Sequence, residues 1–165
     1  DEEGALDPHI WLSPVLVKRQ AENIYETLVN LDPEGREVYA AGLESLKTEM
    51  DQLDAEIKAI LEPYRGSTFF VFHPSFGYFA DRYGLNQVAV ETGGKEPSPA
   101  ELQEIVEHAA EENVKIIFAQ PEFSKDSVKA IANAIDGRVS TLNPLDPDYV
   151  NNLKQMAEEI RKAYE

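Results

Sequence analysis

Cysteine is absent from this chain of 165 residues, and its absence removes several kinds of chemistry. Without thiols there is no disulfide, no thiolate metal site and no cysteine nucleophile. Positive charge is scarce, since 15 lysine and arginine residues stand against 31 aspartate and glutamate residues, for a formal net charge of −16. A surface this acidic repels phosphate backbones and anionic membranes, which argues against a nucleic-acid partner.

Long apolar runs and common catalytic motifs are also missing. No apolar run approaches the roughly 20 residues that a membrane span requires, and the chain does not begin like a signal peptide. The GxSxG, GxxxxGK[ST] and GxGxxG patterns do not occur. The length is enough for one domain, or for one domain with an appendage.

The first third of the chain predicts two helices. Ser13 and Pro14 are a typical N-cap and first residue for a helix that ends near Asn30. A second helix is expected from residues 32–34 to about Leu61, roughly 40 Å at about 1.5 Å per residue. That exceeds what a compact domain of this size needs, so we expect it to bridge two bodies or to pack against a partner helix. Its apolar residues alternate in spacings of three and four and form a narrow seam: Leu43, Leu46, Met50, Leu53, Ile57 and Ile60.

The remainder of the chain alternates between strands and helices. Short apolar segments predict strands at residues 68–72, 86–90, 114–119 and 138–142. The helices between and after them are marked by a Ser98–Glu101 capping box, a Ser124 cap, closure at Gly137 and a start at Asp146-Pro147. This alternation indicates an α/β fold with a four-stranded parallel sheet and covering helices.

A polar residue follows each predicted strand. His73, Glu91, Gln120 and Asn143 come after the four strands in turn. Since the carboxyl ends of parallel strands meet at one edge, we expect these side chains to lie close together, where they could orient a ligand or bind a metal. An alternative interpretation makes Gln120 and Asn143 ordinary turn residues and Glu91 a solvated loop carboxylate.

The other two histidines lie in different surroundings. His9 is expected in a loop or extended segment beside Trp11, because Pro8 biases Asp7 away from the helical conformation. His108 is expected in the middle of a helix, on its solvated face.

Five segments together resemble one protein family. They are DPHIWLSP at residues 7–14, FHPSFGYFADRYGL at 72–85, EPSP at 96–99, IIFAQPEF at 116–123 and LNPLDPDYVNNL at 142–153. In this order they are similar to the metal-binding solute receptors of ABC transporters, specifically the zinc-type branch.

The resemblance implies a two-lobe architecture and a ligand set. Residues 1–32 would be a remnant of the N-terminal lobe, residues 33–62 the long connector helix, and residues 64–165 the C-terminal α/β lobe. The metal ligands would be His9 and His73, with Asn143 at the position of a family aspartate. A histidine at the position of His73 goes with zinc rather than manganese.

Three hypotheses follow. The first is an extracytoplasmic receptor, periplasmic or lipid-anchored at the cell surface, that captures zinc and delivers it to an ABC permease without acting as an enzyme. The second is a metal-dependent hydrolase with a zinc-bound water and Glu91 as base. The third is a fragment without a metal function that self-associates through residues 43–60 and the apolar face of residues 17–31.

Overall fold

A parallel four-stranded sheet covered by helices on both faces organises this protein. The computed structural model describes residues 6–91, 95, 97–112, 114, 116–123 and 125–165. Within them the strands pair in the order β2-β1-β3-β4, all parallel. The strands are β1 Thr68–Val71, β2 Asn86–Ala89, β3 Ile116–Ala119 and β4 Arg138–Thr141. The helices are α1 Pro14–Leu31, α2 Arg36–Leu61, α3 Gly77–Tyr83, α4 Pro99–Glu111, α5 Lys125–Ala134 and α6 Tyr149–Lys162.

Side chains of the central strand β1 divide between two cores. Phe69 and Val71 join a cluster with apolar residues of α2, α3 and α6. Phe70 and Phe72 join a second cluster with residues of α4 and α5 on the opposite face. Successive side chains of a strand point to opposite faces, so a strand that is covered on both sides is apolar throughout. This explains why residues 68–72 show no alternation of apolar and polar residues.

The long helix α2 is buried along only part of its length. Its 26 residues span about 39 Å. Met50, Leu53 and Ile57 are almost completely buried in the first core. The C-terminal half of the seam to which the third hypothesis assigned self-association is therefore already covered within this chain. The N-terminal half of α2 packs instead against α1, and the two helices are joined by ion pairs such as Lys47–Glu22 at 3.3 Å.

The predicted C-terminal ends of the four strands agree with the structure to within one residue. The parallel ladder continues just past each strand, because Phe72 N–H donates to Phe118 O at 2.8 Å and Val90 N–H donates to Val71 O at 2.8 Å. Leu142 N–H likewise donates to Ala119 O at 3.1 Å. The prediction that the third strand begins at residue 114 was wrong, since β3 starts at Ile116. All three extensions lie at the carboxyl edge of the sheet, where the polar residues follow.

The N-cap residues predicted from the sequence differ in whether their side chains form capping hydrogen bonds. The Ser98–Glu101 capping box is confirmed, with Ser98 N–H donating to Glu101 Oε2 at 2.7 Å and Glu101 N–H donating to Ser98 Oγ at 3.4 Å. Hydrogen bonds from Ser98 lower the pKa of Glu101. Ser13 occupies the N-cap of α1 without a side-chain capping hydrogen bond. The predicted cap at Ser124 lies outside the described residues.

Two helix boundaries differ from the sequence prediction. The left-handed residue after α5 is Asp136, with φ of 52°, and Gly137 follows it. Aspartate tolerates this conformation better than most residues. The last helix begins at Tyr149 rather than at Pro147. In the part of the chain that the structure describes, no helix combines the length and apolarity needed to cross a membrane.

A partly buried ion pair between Asp54 and Arg82 connects α2 to α3. Asp54 accepts hydrogen bonds from both Nε and a terminal nitrogen of Arg82, the former at 2.7 Å, and from Tyr83 Oη at 3.2 Å. The Arg82 guanidinium holds the pKa of Asp54 below its ordinary value. The side chain of Asp54 is 14% exposed and that of Arg82 is 38% exposed.

We predict that Asp54→Asn lowers the free energy of unfolding by about 1 kcal/mol at neutral pH, with the exposure of Arg82 limiting the effect through solvent screening. Because the pKa of Asp54 is lowered in the folded state, its contribution is present above the unfolded-state pKa and is lost as the pH falls below about 4. Urea unfolding of both proteins over a pH series measures this difference.

Asp51→Asn is the matched control, because Asp51 lies on the same helix and pairs with Lys18 while its side chain is 63% exposed. We expect it to change the unfolding free energy by less than about 0.5 kcal/mol. Equal losses for the two variants, or a loss at Asp54 that is independent of pH, would contradict the prediction.

Candidate metal site at the sheet edge

The backbone of His73 is held at the exit of β1 by a glutamine from the neighbouring strand. Gln120, which is 3% exposed, accepts a hydrogen bond from His73 N–H at 3.4 Å through Oε1. Its Nε2 donates to His73 O at 2.9 Å and to Ser75 Oγ at 2.8 Å. On the other side, Gln87 Oε1 accepts from Phe76 N–H at 2.6 Å. The histidine loop is therefore held by side chains from both neighbours of β1.

The ring of His73 is oriented by a buried carboxylate. Its Nδ1 is hydrogen-bonded to Oε1 of Glu91, and the Glu91 side chain is only 4% exposed. An ionised carboxylate can only accept, so Nδ1 carries the proton and Nε2 keeps its lone pair. The Phe123 ring lies beside the imidazole, with centroids 5.4 Å apart. These contacts leave a 33% exposed imidazole whose Nε2 has no hydrogen-bond partner among the described residues.

The N-terminal segment returns to the same edge through a tryptophan. Trp11 lies in a one-turn 3-10 helix, Ile10–Leu12, and its Nε1 donates to Pro144 O at 2.9 Å. Tyr149 Oη donates to the backbone oxygen of Trp11 at 2.8 Å. Burial raises the pKa of Tyr149, which keeps the hydroxyl protonated as a donor. The segment is thus attached to the loop after β4 and to the start of α6.

His9 carries a carboxylate partner of its own. Asp7 Oδ1 accepts from His9 N–H at 2.9 Å and lies 2.7 Å from His9 Nδ1. As at His73, the accepting carboxylate places the proton of the neutral ring on Nδ1, and Nε2 has no hydrogen-bond partner among the described residues. The His9 ring contacts Trp11 at 5.3 Å between centroids and is 17% exposed. Asp7 was not among the residues predicted for the site, although its place two residues before the histidine was a usable signal.

The two imidazoles meet at a distance that suits a shared metal ion. Their ring centroids are 5.6 Å apart with an interplanar angle of 79°. A Zn–N bond of about 2.0–2.1 Å puts the ion roughly 3.2 Å from each centroid, and a tetrahedral angle then separates the centroids by about 5.2 Å. The observed separation of the two centroids is therefore compatible with one zinc ion between the rings of His9 and His73.

Asn143 is engaged in its own loop. Its Oδ1 accepts from Leu145 N–H at 3.0 Å, and its Nδ2 lies 3.4 Å from Asp146 Oδ2. Its backbone oxygen accepts from Asn152 Nδ2 at 2.7 Å. These bonds fit the alternative interpretation of a turn residue, and the amide oxygen retains a second lone pair.

The remaining predicted site residues have supporting positions. Glu91 and Gln120 lie at the sheet edge as expected, but each binds His73 itself, and Glu91 is not a solvated loop carboxylate. The third histidine, His108, was expected on a solvated face; its ring is half-buried and lies 5.4 Å from the Phe70 ring, in the core between α4 and the sheet.

Few ligand side chains gather at this edge among the described residues. Among the described residues there is no group of three or more His, Cys, Asp or Glu side chains that could hold a metal ion. A catalytic zinc site uses about three protein ligands and an open position. Glu91 lies against Nδ1 of His73, on the side of the ring away from Nε2, and is buried, which does not suit a base acting on a metal-bound water.

Comparison with known proteins found similar solved structures and similar curated proteins. A crystal structure of ZnuA is 43% identical and superposes with a TM-score of 0.96, covering 100% of this chain and 65% of that chain. A crystal structure of a ZnuA deletion mutant with zinc bound is 43% identical, with a TM-score of 0.93 and coverage of 98% and 62%. The high-affinity zinc uptake system protein ZnuA of Yersinia pestis is 32% identical over 163 residues, 93% of this chain and 51% of that protein.

The fold is an α/β domain built on a four-stranded parallel sheet, and two histidines meet at the carboxyl edge of that sheet. The chain belongs to the family described as zinc-uptake complex component A periplasmic, which matches residues 1–163. The chain spans about half the length of the curated relatives that it matches. The family description gives the hydrolase hypothesis no support.

Proposed function

We propose that this chain binds a zinc ion through Nε2 of His9 and Nε2 of His73. The observation that carries the proposal is the meeting of two imidazoles, 5.6 Å apart between centroids, whose Nδ1 atoms are both taken by carboxylates. Each ring offers its remaining nitrogen as a ligand. Water and Asn143 would supply further donors in a four-coordinate site.

Zinc is favoured over manganese by the donor atoms. Imidazole nitrogen suits zinc, whereas manganese prefers carboxylate, carbonyl and water oxygens. The carboxylates of Asp7 and Glu91 are hydrogen-bonded to the rings of His9 and His73. The main donor atoms that remain for a metal ion are therefore imidazole nitrogens. The names of the relatives support the same metal, since the Yersinia pestis protein is named for zinc uptake and one similar crystal structure contains zinc.

The biological role that we propose is capture of zinc outside the cytoplasm and its delivery to an ABC permease. The protein would act in the periplasm or at the cell surface, where a lipid anchor would hold it, and it would catalyse no reaction. Support comes from the family description, which names a periplasmic component of a zinc-uptake complex. Zinc is the transported ligand in this proposal.

We further propose the division into residues 1–32, 33–62 and 64–165 as an N-terminal lobe remnant, a connector helix and a C-terminal lobe. The support is the partial burial of α2, whose C-terminal half packs on the sheet while most of its N-terminal half packs against α1 among the described residues. A helix of about 39 Å exceeds what the sheet can cover.

We predict that His73→Gln and His9→Gln each lower the zinc affinity of this chain by more than about a hundredfold, because loss of a ligand costs more than loss of an outer hydrogen-bond partner. Isothermal titration calorimetry with zinc measures the effect. His108→Gln is the matched control, since it removes the third imidazole from α4, and we expect its affinity to equal that of the wild type. Equal affinity for wild type and His73→Gln would contradict the proposed function.

We predict that Asn143→Asp tightens zinc binding by about tenfold, or about 1.4 kcal/mol. A carboxylate is a stronger ligand than an amide, and the repulsion that it introduces toward Asp146 is relieved by the bound cation. Calorimetry measures the affinity, and thermal unfolding of the zinc-free variant reports any damage to the loop. Unchanged affinity in a normally folded variant would show that position 143 does not contribute a ligand.

Self-association is proposed through a narrower surface than residues 43–60, because much of that seam is buried. One group of exposed apolar side chains lies on α1 and at the start of α2: Ile24, Leu28, Leu31 and Val38. We predict concentration-dependent association by light scattering, reduced by Leu31→Lys, because leucine at this position is 79% exposed. A strictly monomeric wild type at high concentration would contradict this prediction.

A further inference from the structure

The environment of Glu91 differs from that of the other carboxylates in the described chain. Its side chain is 4% exposed and its hydrogen-bond partner is His73 Nδ1. Apart from Asp7, which pairs with His9, the acidic partners in the other described ion pairs bind cationic side chains of lysine or arginine, as Asp51 and Asp54 do. Burying a carboxylate is costly unless a hydrogen bond compensates it. The imidazole N–H provides that compensation.

The backbone sets the position of Glu91 relative to the histidine. Val90 N–H donates to Val71 O at 2.8 Å, and Glu91 N–H donates to Phe72 O at 3.0 Å. The ladder between β1 and β2 thus continues to the residue before His73. Together with the Gln120 bonds to the backbone of His73, this register brings the carboxylate to the ring without any adjustment of the loop.

Asp7 makes a comparable contact with His9 but from a different setting. It lies two residues away on the same segment, and its side chain is 34% exposed. Local contacts of this kind compete with water, whereas the contact of Glu91 spans 18 residues and is shielded. The two half-sites therefore differ: the ring of His73 is oriented by the sheet, and that of His9 by its own segment.

We propose that Glu91 is a positioning residue for metal capture, which holds His73 in the Nδ1–H tautomer before the ion arrives. This inference rests on the proposed function. With the proton held on Nδ1, Nε2 presents a lone pair to zinc, and no proton has to move between ring nitrogens on binding. A carboxylate behind a ligating histidine also raises the basicity of the ligand, and loss of such a partner typically lowers metal affinity by about 10–100-fold.

The test uses Glu91→Leu, which removes the acceptor and keeps an apolar side chain of similar size in a buried position. Long-range ¹H–¹⁵N spectra of the zinc-free protein at pH 8 report the tautomer of His73. We expect Nδ1–H in the wild type and a shift toward Nε2–H in the variant, since without an acceptor the proton is free to move. Zinc titration by calorimetry should show an affinity lower by about 10–100-fold.

Glu91→Gln is the second variant, because its amide oxygen can still accept from Nδ1. We expect it to retain the Nδ1–H tautomer and to lose less affinity than Glu91→Leu, and it keeps the test valid if the leucine variant does not fold. Glu26→Gln removes the same charge from the exposed side of α1 and should match the wild type in both measurements.

The outcomes separate this inference from the proposed function. Wild-type affinity in His73→Gln would overturn both. Loss of binding in His73→Gln together with wild-type affinity in both Glu91 variants would overturn only the positioning role. An unchanged Nδ1–H tautomer in a folded Glu91→Leu protein would also overturn it, because a merely structural effect on affinity would leave the tautomer as it was.

Discussion

The hydrogen bond between a buried carboxylate and a half-exposed imidazole at the end of the central strand is the interaction on which the site depends. It requires β1 and β2 to run parallel in a register that brings Glu91 beside His73. It also requires a dry environment, since water would otherwise solvate the carboxylate and free the ring. The apolar layer of Phe72 and Phe123, whose rings are 5.0 Å apart, lies at this edge and helps to exclude water.

The second imidazole reaches this edge because of the lengths of the first two helices. α1 has 18 residues and α2 has 26, and they pack antiparallel, so the beginning of α1 lies beside the C-terminal half of α2, short of its far end. The pairs Lys18–Asp51 and Lys47–Glu22 follow this register. The segment before α1 therefore arrives above the sheet. There the side chain of Trp11 binds the loop after β4 and directs His9 toward His73.

Several parts of the fold and site could be predicted from sequence because their signals are local. The apolar segment before His73 indicated a strand buried on both faces, and the Ser98–Glu101 capping box indicated a helix start whose two hydrogen bonds are present. Parallel pairing then brought Glu91 and Gln120 to the edge that carries His73. The beginning of the last helix could not be predicted in the same way, because Asp146 accepts from the backbone of Asp148 and delays the helix.

What the amino-acid sequence determined by itself was the set of elements and the edge at which the polar residues gather, since periodicity, caps and parallel connection depend on neighbouring residues. What only the tertiary structure decided was the task of each polar side chain there. Glu91 and Gln120 could equally have faced solvent or a ligand. Their contacts with His73 follow from strand order and burial, which bring together groups 18 and 47 residues apart. The pairing of His9 with His73 likewise depends on the packing of α1 against α2, because no local signal specifies a contact between side chains so distant in the chain.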